Sequence, residues 1–314
     1  MKDNLIYILR KLIYSIPIIL GVCLIVFVIF NLIFGDPSAL LLGKNATAQQ
    51  MADMREQLGL NKPLFMQYLD TVKSAFTLDF GRSWSTKQNI MDMIKAGAFP
   101  SLSFALPGFM ISLVISIALA LVIALYRGGV FDLFARVVSI AMLSISSLTY
   151  ILFCQWFFAF KLGWFEISGY EEGFPAFIPY ALLPTLIWVI LSIGPDLRFF
   201  RTVVLDELYQ DYVRTARSKG LSEMVILFKH VLRNAMVPIL TYVLIQLPFL
   251  ILGSVLIEIF FSIPGLGTMI VNALNSYDFP VIRAMAILSA IMVIVFQLLT
   301  DVMYTFVDPR VKLK

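Results

Sequence analysis

The stretch "DYVRTARSKGLSEMVILFKHVLRN", residues 211–234, is densely charged in a chain that is otherwise strongly apolar. Its apolar residues recur at helical spacing on both sides of Gly220, and basic residues flank them. A simple connection between two membrane spans would not need two amphipathic helices joined at a glycine. The rest of the sequence must therefore explain which fold surrounds this segment and what the segment contacts.

The composition of the 314 residues indicates a membrane protein. The chain is 60% hydrophobic and 14% charged, and its mean hydropathy is +0.89. A soluble domain normally carries about 25% charged residues. The apolar residues also fall in long runs, so a lipid bilayer is the expected solvent. The net charge of +4 then reports membrane orientation rather than nucleic-acid binding, and no nucleic-acid partner is expected.

Six apolar runs are long enough to cross a bilayer, which takes about 20 residues. Because backbone groups in lipid must be paired internally, each run predicts a helix, and the predicted fold class is an all-α polytopic membrane protein. The first run exceeds the about 7–15 apolar residues of a signal sequence, so we expect it to be retained. The runs are 12–34, 102–126, 137–160, 177–193, 237–261 and 284–307.

The distribution of lysine and arginine predicts that both termini lie in the cytoplasm. In that orientation the cytoplasmic segments hold fifteen basic residues, whereas the short outer loops hold only Lys161 and Arg283. Cytoplasmic loops of membrane proteins carry such an excess. The predicted segments are a cytoplasmic N-terminus (1–11), the first span (12–34), an outer loop (35–100), a core of five spans (101–307) and a cytoplasmic C-terminus (308–314).

The outer loop is too long to be a simple turn, and its sequence predicts two short helices. Thr47 and Gln50 have the spacing of a capping box at the start of the first helix, which Gly59 ends. "NKPLFMQYLDTVKSAF", residues 61–76, predicts the second. Two roles remain open for this loop: a lid over the ends of the spans, or a platform that meets a partner or shields a substrate path.

The cytoplasmic segment between the fourth and fifth spans, 195–237, predicts a helix–glycine–helix elbow. The first helix is expected from Leu205, with Asp206 and Glu207 in its first turn, where the helix dipole favours acids. Gly220 ends it in the left-handed conformation, and Ser222 caps the next helix. Two interpretations remain open: helices that lie on the anionic inner leaflet, or a rigid knob that docks on a cytosolic protein.

The elbow resembles the cytoplasmic coupling loop of ABC importer permeases, and more narrowly of the dipeptide, oligopeptide and nickel branch. The family pattern is Glu-Ala-Ala, three residues and Gly, and later Ile-x-Leu-Pro. This chain keeps it at Ala216, Gly220 and Leu232, and "DYVRTARSKGL" and "LRNAMVP" are similar to the peptide branch. Further resemblances, in chain order, are "GDPSALLLGKNAT", "QLGLNKPLFMQYL", "EIFFSIPGLGTMIVNAL" and "VDPRVK".

The resemblance implies a type I ABC importer permease fold with six transmembrane helices, in the bacterial inner membrane and surrounded by lipid. It also implies three kinds of partner: a sister permease that forms a heterodimer, two cytosolic ATPases that bind ATP and Mg²⁺, and an extracytoplasmic substrate-binding protein. The guanidinium groups of Arg214 and Arg217 would offer bidentate contacts to carboxylates of the ATPase. The residues expected to couple to the ATPase are Arg214, Thr215, Ala216, Arg217, Lys219, Gly220 and Leu221.

The chain lacks the sequence motifs of an enzyme. No GxxxxGK[ST] occurs, so a separate chain would have to hydrolyse ATP. With the single histidine His230 and two isolated cysteines, Cys23 and Cys154, the sequence predicts no catalytic site, no metal site and no cofactor held by this chain. Both cysteines are expected to be buried thiols.

Polar residues inside the spans are the candidates for a gate and a substrate pathway. Glu258 is predicted to lie either at the membrane interface or at an outer gate. The irregular turn that follows it would complete this gate through Pro264, Gly265 and Gly267. The candidate pathway residues are Ser144, Ser147, Gln246 and Gln297, although small hydroxyl groups also stabilise contacts between helices.

Together these features predict the permease subunit of an ATP-driven importer of dipeptides or oligopeptides. A nickel or metal-chelate importer of the same family is the alternative, and the lack of a metal-ligand set favours peptides. An ion-coupled secondary carrier is less favoured. Such a carrier would need paired ionisable groups near the middle of the membrane, and often two similar halves.

Overall fold

The computed structural model describes residues 2–30, 38, 42, 47–57 and 61–307, with the backbone alone for 2–9, 57 and 305–307. The predicted C-terminus (308–314) and Gly59 lie outside the described residues. In chain order the helices are α1 (Lys2–Val28), α2 (Ala48–Gln57), α3 (Leu64–Thr77), α4 (Ile90–Leu125), α5 (Val130–Ser144), α6 (Ser147–Cys154), π1 (Gln155–Lys161), α7 (Ile178–Leu208), α8 (Asp211–Ser218), α9 (Glu223–Val225), π2 (Ile226–Val231), α10 (Leu232–Ile251), α11 (Val255–Phe261), α12 (Leu266–Asn275) and α13 (Phe279–Val307).

By length and composition, five of the described helices could cross a membrane. Two further pairs of bent helices could each form one span, which would give up to seven spans. The all-α class is confirmed, and the six predicted spans fall within that range. The five helices are Arg10–Val28, Ile90–Leu125, Ile178–Leu208, Glu223–Ile251 and Phe279–Tyr304. The bent pairs are Val130–Ser144 with Ser147–Lys161, and Val255–Phe261 with Leu266–Asn275.

The predicted third span, 137–160, is two helical segments rather than one. α5 and the helix formed by α6 and π1 meet at 90° across Ile145 and Ser146, whose ψ angles of 131° and 139° are extended. Such a break leaves the last carbonyls of α5 without helical partners. The Tyr150 hydroxyl donates to one of them, the Met142 carbonyl, at 3.2 Å. The apolar pattern could not reveal this break because neither residue at it is proline or glycine.

The predicted fifth span, 237–261, is also interrupted. α10 ends at Ile251, and α11 begins only at Val255. Between them Gly253 has a φ of +78°, in the left-handed region. Glycine enters that region without the steric cost that a Cβ imposes, so it commonly ends a helix there.

The helices form two compact units. The first contains the described residues within 2–99 and 265–298, and the second contains 100–264 and 299–307. In the first unit α3 packs its Thr71 and Ala75 side towards α1, and Ala75 forms a buried cluster with Cys23 and Ile287. The predicted capping box is confirmed: the Thr47 amide donates to Gln50 Oε1 at 2.9 Å, and the Gln50 amide donates to Thr47 Oγ1 at 3.3 Å.

A buried carboxylate fixes the segment that connects α3 to α4 in the first unit. Asp278 accepts hydrogen bonds from the backbone amides of Trp84 at 3.0 Å and Ser85 at 3.2 Å, and from the Ser83 hydroxyl. The Trp84 ring packs edge-on against Phe279, with centroids 6.0 Å apart. These contacts hold residues 83–85 against the start of α13.

In the second unit, α4, α7, α8 and α10 share one hydrophobic core, which includes Ala120, Phe200 and Ile239. A nearly buried ion pair links α5 to α7: Nε and Nη2 of Arg201 both lie 2.7 Å from Oδ1 of Asp132. α7 continues as a helix to Leu208, well beyond the predicted fourth span, 177–193. The second cysteine, Cys154, is buried in this unit, as predicted for both thiols.

Candidate functional site

The elbow begins where α7 ends at Leu208. The prediction of one helix from Leu205 was wrong, because Asp206 and Glu207 lie in the last turn of α7 rather than in the first turn of a new helix. The chain turns across the next two residues, and α8 starts at Asp211, which supplies the first-turn acid instead. This acid suits the positive end of the helix dipole.

Gly220 ends α8 in the predicted left-handed conformation, with a φ of +77°. The Gly220 amide donates to the Arg217 carbonyl at 2.9 Å, and the Leu221 amide donates to the Ala216 carbonyl at 3.4 Å. This pair of bonds is a Schellman motif, which satisfies the carbonyls left open at the end of a helix. A Cβ at Gly220 would meet nothing within 4 Å, so glycine is needed there for its backbone conformation alone.

The apolar side of α8 is buried against its own chain. Val213 and Ala216 belong to the same hydrophobic core as Leu208, Leu227 and Val231. A helix lying on a leaflet would turn its apolar side to the lipid. α8 instead presents its polar side to the exterior, and the exposed residues there are Asp211, Arg214, Thr215, Ser218 and Lys219.

The predicted apolar face of the following helix divides into a buried and an exposed part. Leu227 and Val231 are buried, whereas Met224 and Phe228 are 54% and 52% exposed. The helix passes here into π2, whose hydrogen bonds span five residues and so change which side chains face inward. Ser222 occupies the predicted N-cap position, but its hydroxyl makes no capping bond in the described chain. We define the exposed apolar patch as Leu221, Met224, Val225 and Phe228.

Arg217 is paired within the chain. Its Nε donates to Glu223 Oε1 at 2.7 Å and its Nη2 donates to Glu223 Oε2 at 3.0 Å, which joins the end of α8 to the start of α9. This bond to the carboxylate raises the pKa of Arg217 above its ordinary value. The guanidinium of Arg214 is more accessible, with Nη1 3.8 Å from Asp211 Oδ1 and three quarters of its side chain exposed.

A second polar contact fixes the start of the elbow. The Tyr212 hydroxyl donates to Glu207 Oε2 at 2.5 Å. Burial, together with this hydrogen bond, raises the pKa of Tyr212 to about 12. A cavity of about 380 Å³ lies beside the elbow, lined by Ala124, Leu125, Arg127, Leu208, Arg217, Glu223 and Leu227.

Glu258 is fully buried in the second unit. Its Oε1 accepts a hydrogen bond from the Ser101 hydroxyl at 2.8 Å. Of the other residues predicted at the gate, Pro264 is exposed in the same unit. Gly265 and Gly267 belong to the first unit, where the backbone of Gly265 lies close to Gly97.

The predicted pathway residues have different surroundings. Ser144 and Ser147 lie on either side of the break after α5, and the Ser144 hydroxyl donates to the Ile140 carbonyl of its own helix at 2.9 Å. Gln297 is exposed on the part of α13 that belongs to the first unit. Gln246 is half-buried, and it alone of the four joins a network of polar side chains in the described chain.

That network, which the sequence analysis missed, joins α7 to α10. The buried Asp196 accepts a hydrogen bond from the Tyr242 hydroxyl at 2.7 Å, and Gln246 Nε2 donates to the same hydroxyl at 3.2 Å. The Phe199 ring stacks on Tyr242 with centroids 4.4 Å apart. The available signal was an acid directly after Pro195 in an apolar run, because acids inside spans are rare and usually functional.

The sequence matches a known family over most of its length. Residues 116–313, which include the elbow, match the family described as "Binding-protein-dependent transport system inner membrane component". Residues 4–105 match the description "Binding-prot-dependent transport system membrane comp, N-term". The chain belongs to this family. It is therefore a multi-pass transport subunit of the inner membrane, with the type I importer permease fold, and it assembles with other components of an ABC transporter.

Individual relatives align with this chain over almost the whole length of both proteins. The probable peptide ABC transporter permease protein y4tP of Sinorhizobium fredii (strain NBRC 101917 / NGR234) is 32% identical over 310 residues. The oligopeptide transport system permease protein AppB of Bacillus subtilis (strain 168) is 34% identical over 312 residues. The dipeptide transport system permease protein DppB of Alkalihalophilus pseudofirmus (strain ATCC BAA-2126 / JCM 17055 / OF4) is 30% identical over 329 residues. Each comparison covers 98% of this chain and 99% of the relative.

Proposed function

We propose that this chain is one of two permease subunits in an ATP-driven importer of dipeptides or oligopeptides. Relatives named as peptide, oligopeptide and dipeptide permeases align with almost the whole chain and support a peptide cargo. The second permease would be a different sister chain. Two cytosolic ATPases would bind ATP and Mg²⁺, and an extracytoplasmic binding protein would deliver the peptide.

The elbow is the site of coupling in this proposal, and the burial of Val213 and Ala216 carries it. Because these side chains share a core with α4, α7 and α10, an ATPase that moves α8 would also move the helices behind it. The surface available to the ATPase consists of the polar side of α8 and the exposed apolar patch. Arg214 is the better candidate for a contact to a partner carboxylate, since Arg217 already holds Glu223.

The proposed orientation places both termini and the elbow in the cytoplasm. It is supported by the excess of lysine and arginine in those segments over the short outer loops. Within the second unit we place an outer gate at Glu258 and Ser101. We assign the Asp196, Tyr242 and Gln246 network to the wall of the pathway.

Uptake in a strain that lacks this chain tests the proposed cargo. Uptake of radiolabelled dipeptides and oligopeptides should be lost and restored by a plasmid copy, whereas uptake of labelled nickel should not change. Loss of nickel uptake alone would assign the chain to the metal branch. Unchanged uptake of peptides would overturn the proposal.

Purification of the tagged chain tests the proposed docking surface. The wild-type chain should co-purify with an ATPase, and Met224→Asp with Phe228→Asp should remove most of it, because the patch becomes charged. Phe174→Asp is the matched control, since Phe174 is an exposed apolar residue in a loop far along the sequence from the elbow. Equal recovery of the ATPase with all three proteins would contradict docking at the patch.

A further inference from the structure

The first unit contains a cavity of about 390 Å³ between α3, the segment around Trp84 and the start of α13. Pockets for small ligands typically measure about 300–1,000 Å³. Phe80 and Trp84 contribute to its apolar wall, together with residues of α13. The polar and charged residues that line it are Lys62, Gln67, Asp70, Ser74, Arg82 and Arg283.

The guanidinium of Arg283 is incompletely paired in this cavity. Its Nη1 donates to Thr71 Oγ1 over a long distance of 3.4 Å. Its Nε is buried and has no acceptor in the part of the chain that the structure describes. A buried donor without an acceptor is unfavourable, and most of all on a charged group. An anion that entered the cavity and accepted this N–H would remove that cost.

Two other arginines show how this chain holds a carboxylate. In Arg217 the atoms Nε and Nη2 bind Glu223 at 2.7 and 3.0 Å, and in Arg201 the same two atoms lie 2.7 Å from Asp132. Nε and Nη2 form the edge of the guanidinium that a planar carboxylate contacts side-on. Arg283 uses the other nitrogen, Nη1, for Thr71, and within the described chain no acceptor occupies the Nε position of this edge.

The charges in the cavity suit an anionic group of a ligand, such as a carboxylate. Asp70 pairs with Lys62 at 2.6 Å, which leaves Arg82 and Arg283 as the net positive charges. A short peptide has one carboxylate for Arg283 and an ammonium group that Asp70 attracts, and its side chain would meet the apolar wall.

α3 has a polar flank that lines the cavity and an apolar flank on its opposite side. This arrangement favours a water-soluble ligand in the cavity over a lipid headgroup. Gln67, Asp70 and Ser74 are spaced three and four residues apart and face the cavity. Phe65, Leu69 and Phe76 form an exposed apolar stripe on the opposite flank of the helix. Such a stripe suits lipid or an apolar partner surface, and the cavity lies on the other side of α3 from it.

We propose that this cavity binds the C-terminal carboxylate of a short peptide, and that Arg283 is the residue that holds it. The proposal rests on the proposed function as a peptide importer. It adds a cargo contact on this chain itself, independent of the peptide site of the binding protein. Arg283 would thereby favour peptides with a free carboxyl terminus during transport.

Equilibrium binding tests this proposal on the complete importer, with both permeases and both ATPases in nanodiscs and without the binding protein. The probes are radiolabelled trialanine and its C-terminal amide. The wild-type importer should bind the free acid about tenfold more tightly or better, because charge-assisted bonds are lost in the amide. Arg283→Gln should bind both peptides equally. Arg283→Lys should be intermediate, since it keeps the charge but not the planar edge.

Lys161→Gln is the matched control, because Lys161 is the other basic residue of the short loops predicted to lie outside. It should retain the full preference for the free acid. ATP hydrolysis by each variant importer reports correct assembly. If Arg283→Gln does not assemble, Ser74→Phe should fill the cavity with Arg283 in place and remove the preference.

Equal binding of acid and amide by the wild type, or a full preference in Arg283→Gln or Ser74→Phe, would overturn the proposal. Competition by inorganic phosphate that exceeds competition by acetate would indicate a phosphate or lipid-headgroup site and would also overturn it. The proposal would also be overturned if the only defect of the Arg283→Gln importer were a loss of binding to the binding protein. Peptide uptake that depends on the chain, together with any of these results, would leave the proposed function standing.

Discussion

Gly253 lies so close to the buried carboxylate of Glu258 that a Cβ on Gly253 would be 2.0 Å from Oε1. Ser101 Oγ would be 2.9 Å from the same Cβ, and its hydroxyl donates to this carboxylate. The left-handed φ of Gly253 adds a backbone penalty for any side chain. Glycine at this position therefore lets the α10–α11 break and the buried acid coexist.

Gly253→Ala should destabilise the second unit by about 2 kcal/mol or more, because overpacking and backbone strain act together. The measurement is the temperature at which half of the detergent-solubilised protein aggregates on heating. Gly21→Ala is the control, since a Cβ at Gly21 inside α1 would meet nothing within 4 Å. A variant at Gly253 as heat-resistant as the one at Gly21 would show that the carboxylate can move aside.

Replacement of Gly220 should distinguish backbone conformation from lost contacts at the elbow. Gly220→Asn should keep most peptide uptake, because asparagine tolerates the left-handed region, whereas Gly220→Val should lose most of it. Gly128→Val is the control, because Gly128 has a similar φ of +74° and similarly open space around its Cβ position. If both valine variants transported equally, the elbow would have no special role in coupling.

Two ion pairs of the second unit, Asp132–Arg201 and Glu223–Arg217, should differ widely in their contribution to stability. Asp132→Asn should cost about 3–5 kcal/mol, because it leaves Arg201 largely buried without its counter-charge. Glu223→Gln should cost no more than about 1 kcal/mol, because its pair with Arg217 is open to solvent. Thermal unfolding of both variants at low and high salt gives the comparison. A larger loss for Glu223→Gln would contradict the difference in burial.

Tyr242→Phe should destabilise the protein by about 1–3 kcal/mol, because the buried Asp196 loses a donor while the aromatic ring remains. We also expect reduced peptide uptake if the network lines the pathway. Tyr150→Phe is the matched control, since that hydroxyl bonds a backbone carbonyl at a helix end rather than a buried acid. An unchanged melting temperature together with unchanged uptake would show that the Asp196–Tyr242 hydrogen bond contributes neither to stability nor to transport.

Hydrophobic runs and glycine predicted much of the fold. Long apolar runs have no stable alternative to helix in lipid, so the helical class followed from composition. The left-handed Gly220 followed from its place after a helical pattern. Local rules also gave the Thr47 and Gln50 capping box, because its two hydrogen bonds join residues three positions apart.

The features that the sequence did not reveal depend on long-range contacts. The break at Ile145 and Ser146 contains neither proline nor glycine, and its carbonyl partner comes from Tyr150 in the next helix. The pairing of Asp196 with Tyr242 joins residues 46 positions apart. Hydropathy places Tyr242 within a predicted span and Asp196 just after another, but only tertiary packing brings the two side chains together.

The burial of Val213 and Ala216 in the core of the second unit determines how force would pass through this molecule. Close-packed protein interiors are nearly incompressible. In the proposed coupling, a push on the polar side of α8 would therefore pass through Val213 and Ala216 to α4, α7 and α10. If an ATPase docks there as proposed, the elbow would act as a lever, and the work done on it would appear as motion of the spans.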